Sequence, residues 1–128
     1  MYKLSKISES RLDGINSTLK AIVKQAIKTS PIDFGIPADG GLRTAERQNE
    51  LFKKGVSKCD GYKNKSYHQT GKAFDIYAYV DGKASWNKKH LTTIARHIQE
   101  VAKTMFNVDL EYGGDWKNFK DYPHLQMK

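Results

Sequence analysis

The stretch from Ser66 to Asp75 sets one imidazole, His68, and one carboxylate, Asp75, seven residues apart, with Gly71 between them. Near the end of the chain, Asp121-Tyr122-Pro123-His124 adds a second imidazole and a carboxylate three residues before it. Two neutral imidazoles and one carboxylate form a ligand set that suits zinc in a hydrolytic site, because three protein ligands leave the fourth position for water. The carboxylate left over is then a candidate base for that water. A glycine at 71 permits the chain reversal that brings His68 and Asp75 to one ion, provided Asp75 starts a strand. The plain alternative is a loop histidine and a strand aspartate that never meet.

His124 lies among Tyr122, Pro123 and Leu125, where an imidazole without a partner is costly to bury. A ligand and a core-edge histidine bonded to a carbonyl both satisfy that demand. His90 and His97 are the other histidines. They stand two helical turns apart, about 10 Å by helix rise, too far for one ion, and are read as solvent-facing. Arg43 follows the glycine pair Gly40-Gly41 and can hold a carbonyl or carboxylate, or be an ordinary surface arginine. Cys59 is the only cysteine, so the chain has no internal disulfide and no thiolate metal cluster; it reads as an incidental loop thiol.

With 128 residues the chain is expected to be one domain, residues 1–128, with its own core and no room for a separate binding module. A content of 38% hydrophobic and 28% charged residues fits a globular protein rather than a disordered one. No apolar run approaches the ~20 residues of a membrane helix, so no membrane insertion is expected. The opening Met1-Tyr2-Lys3-Leu4-Ser5-Lys6 lacks the apolar core of a secretory signal. The net charge of +8 predicts attraction to polyanions such as nucleic acid, anionic lipid or a cell wall rich in phosphate and carboxylate. The basic residues are dispersed, without the dense block of an arginine-rich arm.

The elements that must position these residues can be read in order. Leu19, Ile22, Val23, Ala26 and Ile27 make the apolar stripe of a helix over 17–29, capped by Asn16 or Ser17 and stopped by Ser30-Pro31. Residues 1–13 are weakly patterned and read as a short arm or helix. Residues 32–36 read as a strand and 38–41 as a loop. Thr44 caps a helix over 45–54, with Leu51 and Phe52 as its apolar face and Gly55 ending it. Residues 56–65 are loop. Residues 72–80 read as one strand, closed by the hairpin signal Asp81-Gly82. Leu91, Ile94, Ala95, Ile98, Ala102 and Met105 predict a long helix over 87–106. Strands over 108–112 and 124–127 flank Gly113-Gly114. The order predicts an α+β domain, with two or three helices packed on a small, largely antiparallel sheet.

Taken together, Gly41-Leu42-Arg43-Thr44 with Gln48, Ser66-x-His68-x-x-Gly71-x-Ala73-x-Asp75, Gly113-Gly114-Asp115-Trp116 and Asp121-x-x-His124 occur in an order that resembles the zinc D-Ala-D-Ala carboxypeptidase and dipeptidase group. Within that group the chain is most similar to the small L-alanyl-D-glutamate endopeptidases of phage and prophage endolysins, over about residues 17–126. The resemblance implies a DD-peptidase/hedgehog-like fold with Zn2+ at the sheet, held by His68, Asp75 and His124. It implies Asp121 as general base, Arg43 as stabiliser of the scissile carbonyl, and Ser66 and Gln48 as second-shell or substrate-binding residues. Many relatives have Glu where this chain has Asp121. Asp115 and Glu111 are the rival carboxylates, with Asp115 expected to be structural beside Trp116.

The activity so implied is hydrolysis of the L-Ala–D-Glu bond of a peptidoglycan stem peptide by a monomer without a separate wall-binding domain. Such a lysin is made in the host cytoplasm and meets the wall after the membrane is breached. Two other readings stand beside it. One is a D-Ala-D-Ala carboxypeptidase or dipeptidase of the same fold. The other is a basic, non-catalytic wall- or nucleic-acid-binding module in which Tyr62, Tyr67, Tyr77, Tyr79 and Trp86 stack on sugars or bases, although the endolysin reading expects no nucleic-acid partner.

Overall fold

The computed structural model describes residues 1–128 as an α+β structure. Its order is α1 (Lys6–Arg11), α2 (Ser17–Thr29), β1 (Asp33–Gly35), α3 (Ala45–Lys53), a 3-10 turn (Tyr67–Thr70), β2 (Ala73–Asp75), β3 (Tyr77–Val80), β4 (Lys83–Ser85), α4 (Lys88–Phe106), β5 (Leu110–Tyr112), a second 3-10 turn (Gly113–Asp115) and β6 (His124–Met127). No helix is long and apolar enough to cross a membrane.

The helices begin where side chains can satisfy their free N–H groups. Asn16 Oδ1 accepts from the N–H groups of Thr18 and Leu19 at the start of α2. Thr44 Oγ1 accepts from Arg47 in α3, and Asn87 Oδ1 from Lys89 in α4. All five stripe residues of α2 are buried, and α4 buries Leu91, Ile94, Ala95, Ile98, Val101 and Ala102. These two faces pack on each other, and α4 also meets β3 and β5. Each fully buried Leu or Ile contributes about 1.5–3 kcal/mol, so this helix pair with the apolar strand faces forms the main core. Met105, expected in the stripe, is exposed; α4 ends one residue later at Phe106, capped by Asn107 in the left-handed region, and it is Phe106 that packs against the core.

Several expectations change. Residues 72–80 are two strands, not one. β2 pairs with β6, whereas β3 pairs with β1 and β4. The break falls at Ile76, whose N–H leaves both ladders to donate to Pro123 O at 3.0 Å. The antiparallel strands therefore form two three-stranded sheets, ordered β1-β3-β4 and β2-β6-β5, rather than one. A continuous β-prone run carries no local mark of a switch between sheets.

The buried residue of α3 is polar: Gln48 is fully buried while Phe52 is exposed. His97 is not solvent-facing either. Its Nε2 lies 3.1 Å from Ala26 O and 3.0 Å from Thr29 Oγ1, so it ties α4 to the last turn of α2. His90 is partly buried against Ser85 Oγ.

Candidate metal centre

The β2–β6 register sets Asp75, the last residue of β2, directly opposite His124, the first of β6. Opposed residues in an antiparallel pair project from the same face, so the ladder brings the carboxylate and one imidazole together. The 3-10 turn before β2 supplies the other. Ser66 Oγ caps that turn by accepting from the His68 N–H, and Gln69 returns a bond to the Ser66 N–H. Gly71 ends it at φ 73, a conformation that glycine adopts without strain. Asp75 thus closes a strand rather than opening one, and the turn still delivers both groups to one point.

The geometry there is tight. His68 Nε2 lies 3.2 Å from His124 Nδ1 and 3.3 Å from Asp75 Oδ1, and His124 Nδ1 is 3.1 Å from the same oxygen. The outer faces of the rings decide what these inner atoms are. His68 Nδ1 is 2.9 Å from Gly41 O, a pure acceptor, so Nδ1 carries the hydrogen and Nε2 presents a lone pair. His124 Nε2 is 2.8 Å from Gln126 Oε1. That amide is oriented because its Nε2 faces Glu111 Oε2 at 3.3 Å. Hence Nε2 of His124 carries the hydrogen and Nδ1 presents a lone pair.

With both imidazoles neutral, three acceptors therefore point at one another with no hydrogen between them, an arrangement that calls for a cation. Ligand bonds of ~2.0–2.1 Å around a tetrahedral ion set donor atoms roughly 3.3 Å apart, and the observed separations of 3.1–3.3 Å agree. His68, Asp75 and His124 are the group in the chain that could hold a metal ion. Burial opposes charge on Asp75, but the two imidazoles outweigh it and hold the carboxyl far below the usual carboxylate range. Burial likewise opposes charge on His124, yet Asp75 and Gln126 pull the imidazole upward. The centre attracts positive charge, as proton or as metal.

Asp121 stands at the edge of this group, Oδ2 lying 4.0 Å from His124 Nδ1. Its N–H donates to Gly113 O at 3.0 Å, and its own carbonyl accepts from the His124 N–H at 3.1 Å. A Cβ on Gly113 would collide with Asp121 O, so only glycine allows this approach. Burial, and then the nearby Asp75 carboxylate, push the Asp121 carboxyl above its ordinary value.

The rival carboxylates are committed elsewhere. Glu111 Oε2 accepts from Trp116 Nε1 at 2.7 Å and from Gln126. Asp115 forms a two-pronged pair with Arg96 of α4 at 2.6 and 2.7 Å, so its partner is Arg96 rather than Trp116.

Arg43 reaches the centre from the other side. Its guanidinium donates to Asp75 Oδ2 at 3.1 Å, Gln48 Oε1 at 3.2 Å and Asp39 O at 2.8 Å. It therefore holds the far oxygen of the candidate ligand as well as facing the cleft. Gln48 passes the restraint on, donating to Ser57 Oγ and Cys59 O. Sequence reasoning missed the loop 39–41, whose backbone carbonyls hold the Asp75 N–H, the His68 ring and Arg43; backbone acceptors leave no trace in residue type. It also missed Gln126, and it weighed Glu111 as a rival base rather than as the partner that orients Gln126. That pair had a signal, since Gln126 is two residues from His124 along a strand and shares its face.

A cleft of about 470 Å3 opens over the centre, lined by Arg43, Tyr67, Trp116, Phe119 and Asp121 among others. An α+β fold with a two-histidine, one-carboxylate centre at a strand pair defines a class of small metallohydrolase, and comparison with known proteins narrows it. The solved structure of the Serratia marcescens L-Ala D-Glu endopeptidase ChiX superposes with a TM-score of 0.86 at 31% identity, covering 99% of this chain and 90% of that one. The L-alanyl-D-glutamate peptidase of Escherichia phage T5 is 31% identical over 127 residues, 99% of this chain and 90% of the relative. The peptidoglycan L-alanyl-D-glutamate endopeptidase CwlK of Bacillus subtilis (strain 168) is 35% identical over 129 residues, 88% of this chain and 75% of the relative. Residues 1–127 match the phage L-alanyl-D-glutamate peptidase family, and the chain belongs to it.

Proposed function

We infer that the protein is a zinc-dependent endopeptidase that hydrolyses the L-Ala–D-Glu bond of peptidoglycan stem peptides. The observation that carries this reading is the convergence of one ligand atom each from His68, Asp75 and His124 within 3.3 Å of one another, with the Asp121 carboxylate 4.0 Å from His124 at their edge. Membership of the L-alanyl-D-glutamate peptidase family supplies the bond. The donor set of two nitrogens and one oxygen suits zinc among the common divalent metals.

Zinc held by these residues supplies Lewis acidity, polarising the scissile carbonyl and lowering the pKa of water toward ~7. The remaining work belongs to the chain. Asp121 accepts a proton from the attacking water and returns it to the leaving amine of D-Glu. Arg43, fixed by three acceptors, keeps Asp75 oriented and directs its remaining N–H groups at the oxygen that gains charge. Gln126 and Gly41 O hold the two imidazoles in the tautomers that face the ion. Ser66 and Gln48 act by positioning: the first caps the His68 turn and the second braces Arg43. A monomer suffices, since one chain supplies every group. A phage or prophage copy would reach the wall from within the host once the membrane is breached.

Digestion of purified peptidoglycan, followed by mass spectrometry with and without a zinc chelator, tests the reading. New amino-terminal D-Glu or D-isoglutamine ends that vanish with chelator and return with zinc are expected. Released D-Ala would move the protein to carboxypeptidase chemistry. No new termini from several wall types, despite bound zinc, would overturn the peptidase reading.

A further inference from the structure

The cleft carries charge that the hydrolytic step does not use. Apart from Asp75 and Asp121, its charged lining consists of Arg43, Lys58 and Lys65. Arg43 is engaged by Asp75, Gln48 and Asp39. Lys58 and Lys65 are exposed and take part in none of the ion pairs of the molecule. A lysine free of acidic partners on an open surface is ordinary. Two of them at the mouth of a catalytic cleft, on a loop built to hold still, are a different matter.

Residues 56–66 contain no helix or strand, yet side-chain bonds fasten the loop at several points. Gln48 of α3 holds Ser57 and Cys59 O, and Asn49 holds Asp60 O. The Asp60 carboxylate accepts from the N–H groups of Tyr62, Lys63 and Asn64, and Gln69 holds Gly61 O. The same Gln48 amide contacts Arg43, so the segment carrying Lys58 is braced against the metal centre itself. Lys58 Nζ lies 4.8 Å from the centre of the Phe119 ring, which steadies the ammonium across the cleft lip without neutralising it. Lys65 directly precedes Ser66, the cap of the His68 turn. A stiff loop that presents uncompensated cations beside a reacting centre is suited to reading an anion on the substrate.

The substrate assigned above has one in the right place. The D-Glu residue continues the stem through its side-chain carboxyl, so its α-carboxyl sits on the carbon that bears the scissile nitrogen. In walls where that group is amidated to D-isoglutamine, the charge is absent. We propose that Lys58 and Lys65 form an anion subsite for the free α-carboxylate of D-Glu on the leaving side of the bond, making the protein selective for non-amidated stems. This rests on the L-Ala–D-Glu endopeptidase reading and adds the chemical form of the stem that it cuts.

The test compares kcat/KM of the zinc-loaded full chain on two soluble muropeptides that differ only in D-Glu against D-isoglutamine. The wild type is expected to favour the carboxylate form by roughly 10-fold, the scale of one charge-assisted hydrogen bond, and to lose that preference as salt is raised. The Lys58→Met/Lys65→Met double variant should bring the two substrates level, chiefly through KM on the D-Glu form. The Lys58→Arg/Lys65→Arg variant should keep the preference. Equal cleavage of both substrates by the wild type, or an unchanged preference in the methionine variant, overturns the subsite and leaves the endopeptidase standing. Cleavage of neither substrate removes both.

Discussion

The two sheets of this protein are alike in size and pairing, and only one bears chemistry. Each has three antiparallel strands of three or four residues. In β1-β3-β4 the hairpin between β3 and β4 closes through Asp81 and Gly82, both at positive φ and exposed. Around its outer face stand the exposed rings of Tyr79 and Trp86. In β2-β6-β5 the end of β2 and the start of β6 are held by loop carbonyls: Gly40 O takes the Asp75 N–H, and Asp121 O takes that of His124. Strand ends that stop in water can hold nothing but a turn. Strand ends that stop against ordered backbone can hold side chains at fixed separations, which a metal centre requires.

The sharpest way to break this contrast is to remove a ligand. His68→Ala, Asp75→Ala or His124→Ala should each lose bound zinc by elemental analysis and bring peptidoglycan cleavage to background, whereas Tyr79→Ser on the other sheet should leave both intact. Full metal occupancy in the His124→Ala protein would break the assignment. Next in size is Asp121→Ala, expected to keep zinc while kcat falls by roughly 10²–10⁴-fold, the usual worth of a general base. Retained turnover in that metal-loaded variant would move the base elsewhere.

A smaller effect separates ligand from support. Gln126→Leu leaves all three ligands in place but frees the His124 ring from its acceptor, and titration with zinc should show affinity weakened by about 10–100-fold. The two sheets can then be compared through their glycines. Gly113→Ala forces a Cβ against Asp121 O and should cost both stability and turnover. Gly82→Ala meets nothing within 4 Å, though its φ is +76. It should lower stability by about 1 kcal/mol while activity is unchanged.

The smallest effect concerns the cleft loop. Three backbone N–H groups hold the Asp60 carboxyl below its ordinary value. A depressed carboxyl stabilises the fold above its unfolded pKa, about 3.9, and that contribution is lost as pH falls through the folded value. Thermal melting between pH 5 and 2, as an approximate window around those values, should therefore show a slightly steeper loss for the wild type than for Asp60→Asn. Parallel curves would mean that the loop does not depend on that charge.

Much of this architecture is legible in the sequence. The α2 stripe, most of the α4 stripe, the choice of Asn16 or Ser17 as the α2 cap and the Asp81-Gly82 turn are local features, each encoded within a few residues; Asn16 is the cap that forms, and of the α4 stripe only Met105 stays exposed. The convergence of His68, Asp75 and His124 was anticipated from residue type together with family resemblance. The single strand over 72–80 was not correct, because Ala73 to Val80 is β-prone throughout and the switch at Ile76 depends on Pro123, far along the chain. The solvent-facing reading of His97 failed for a similar reason: the carbonyl that it meets belongs to another helix.

The amino-acid sequence by itself determined which groups can bind a metal, where the helices start and stop, and which face of each is apolar. Those properties follow from side-chain chemistry and short-range periodicity. Tertiary structure alone decided that Glu111 and Asp115 are occupied while Asp121 faces the centre, that Arg43 grips Asp75, and that the carbonyls of 39–41 hold both elements of the site. These outcomes turn on the direction of backbone groups and on pairing between distant segments. Such contacts are set when the two sheets close around a shared core, and no stretch of sequence contains them.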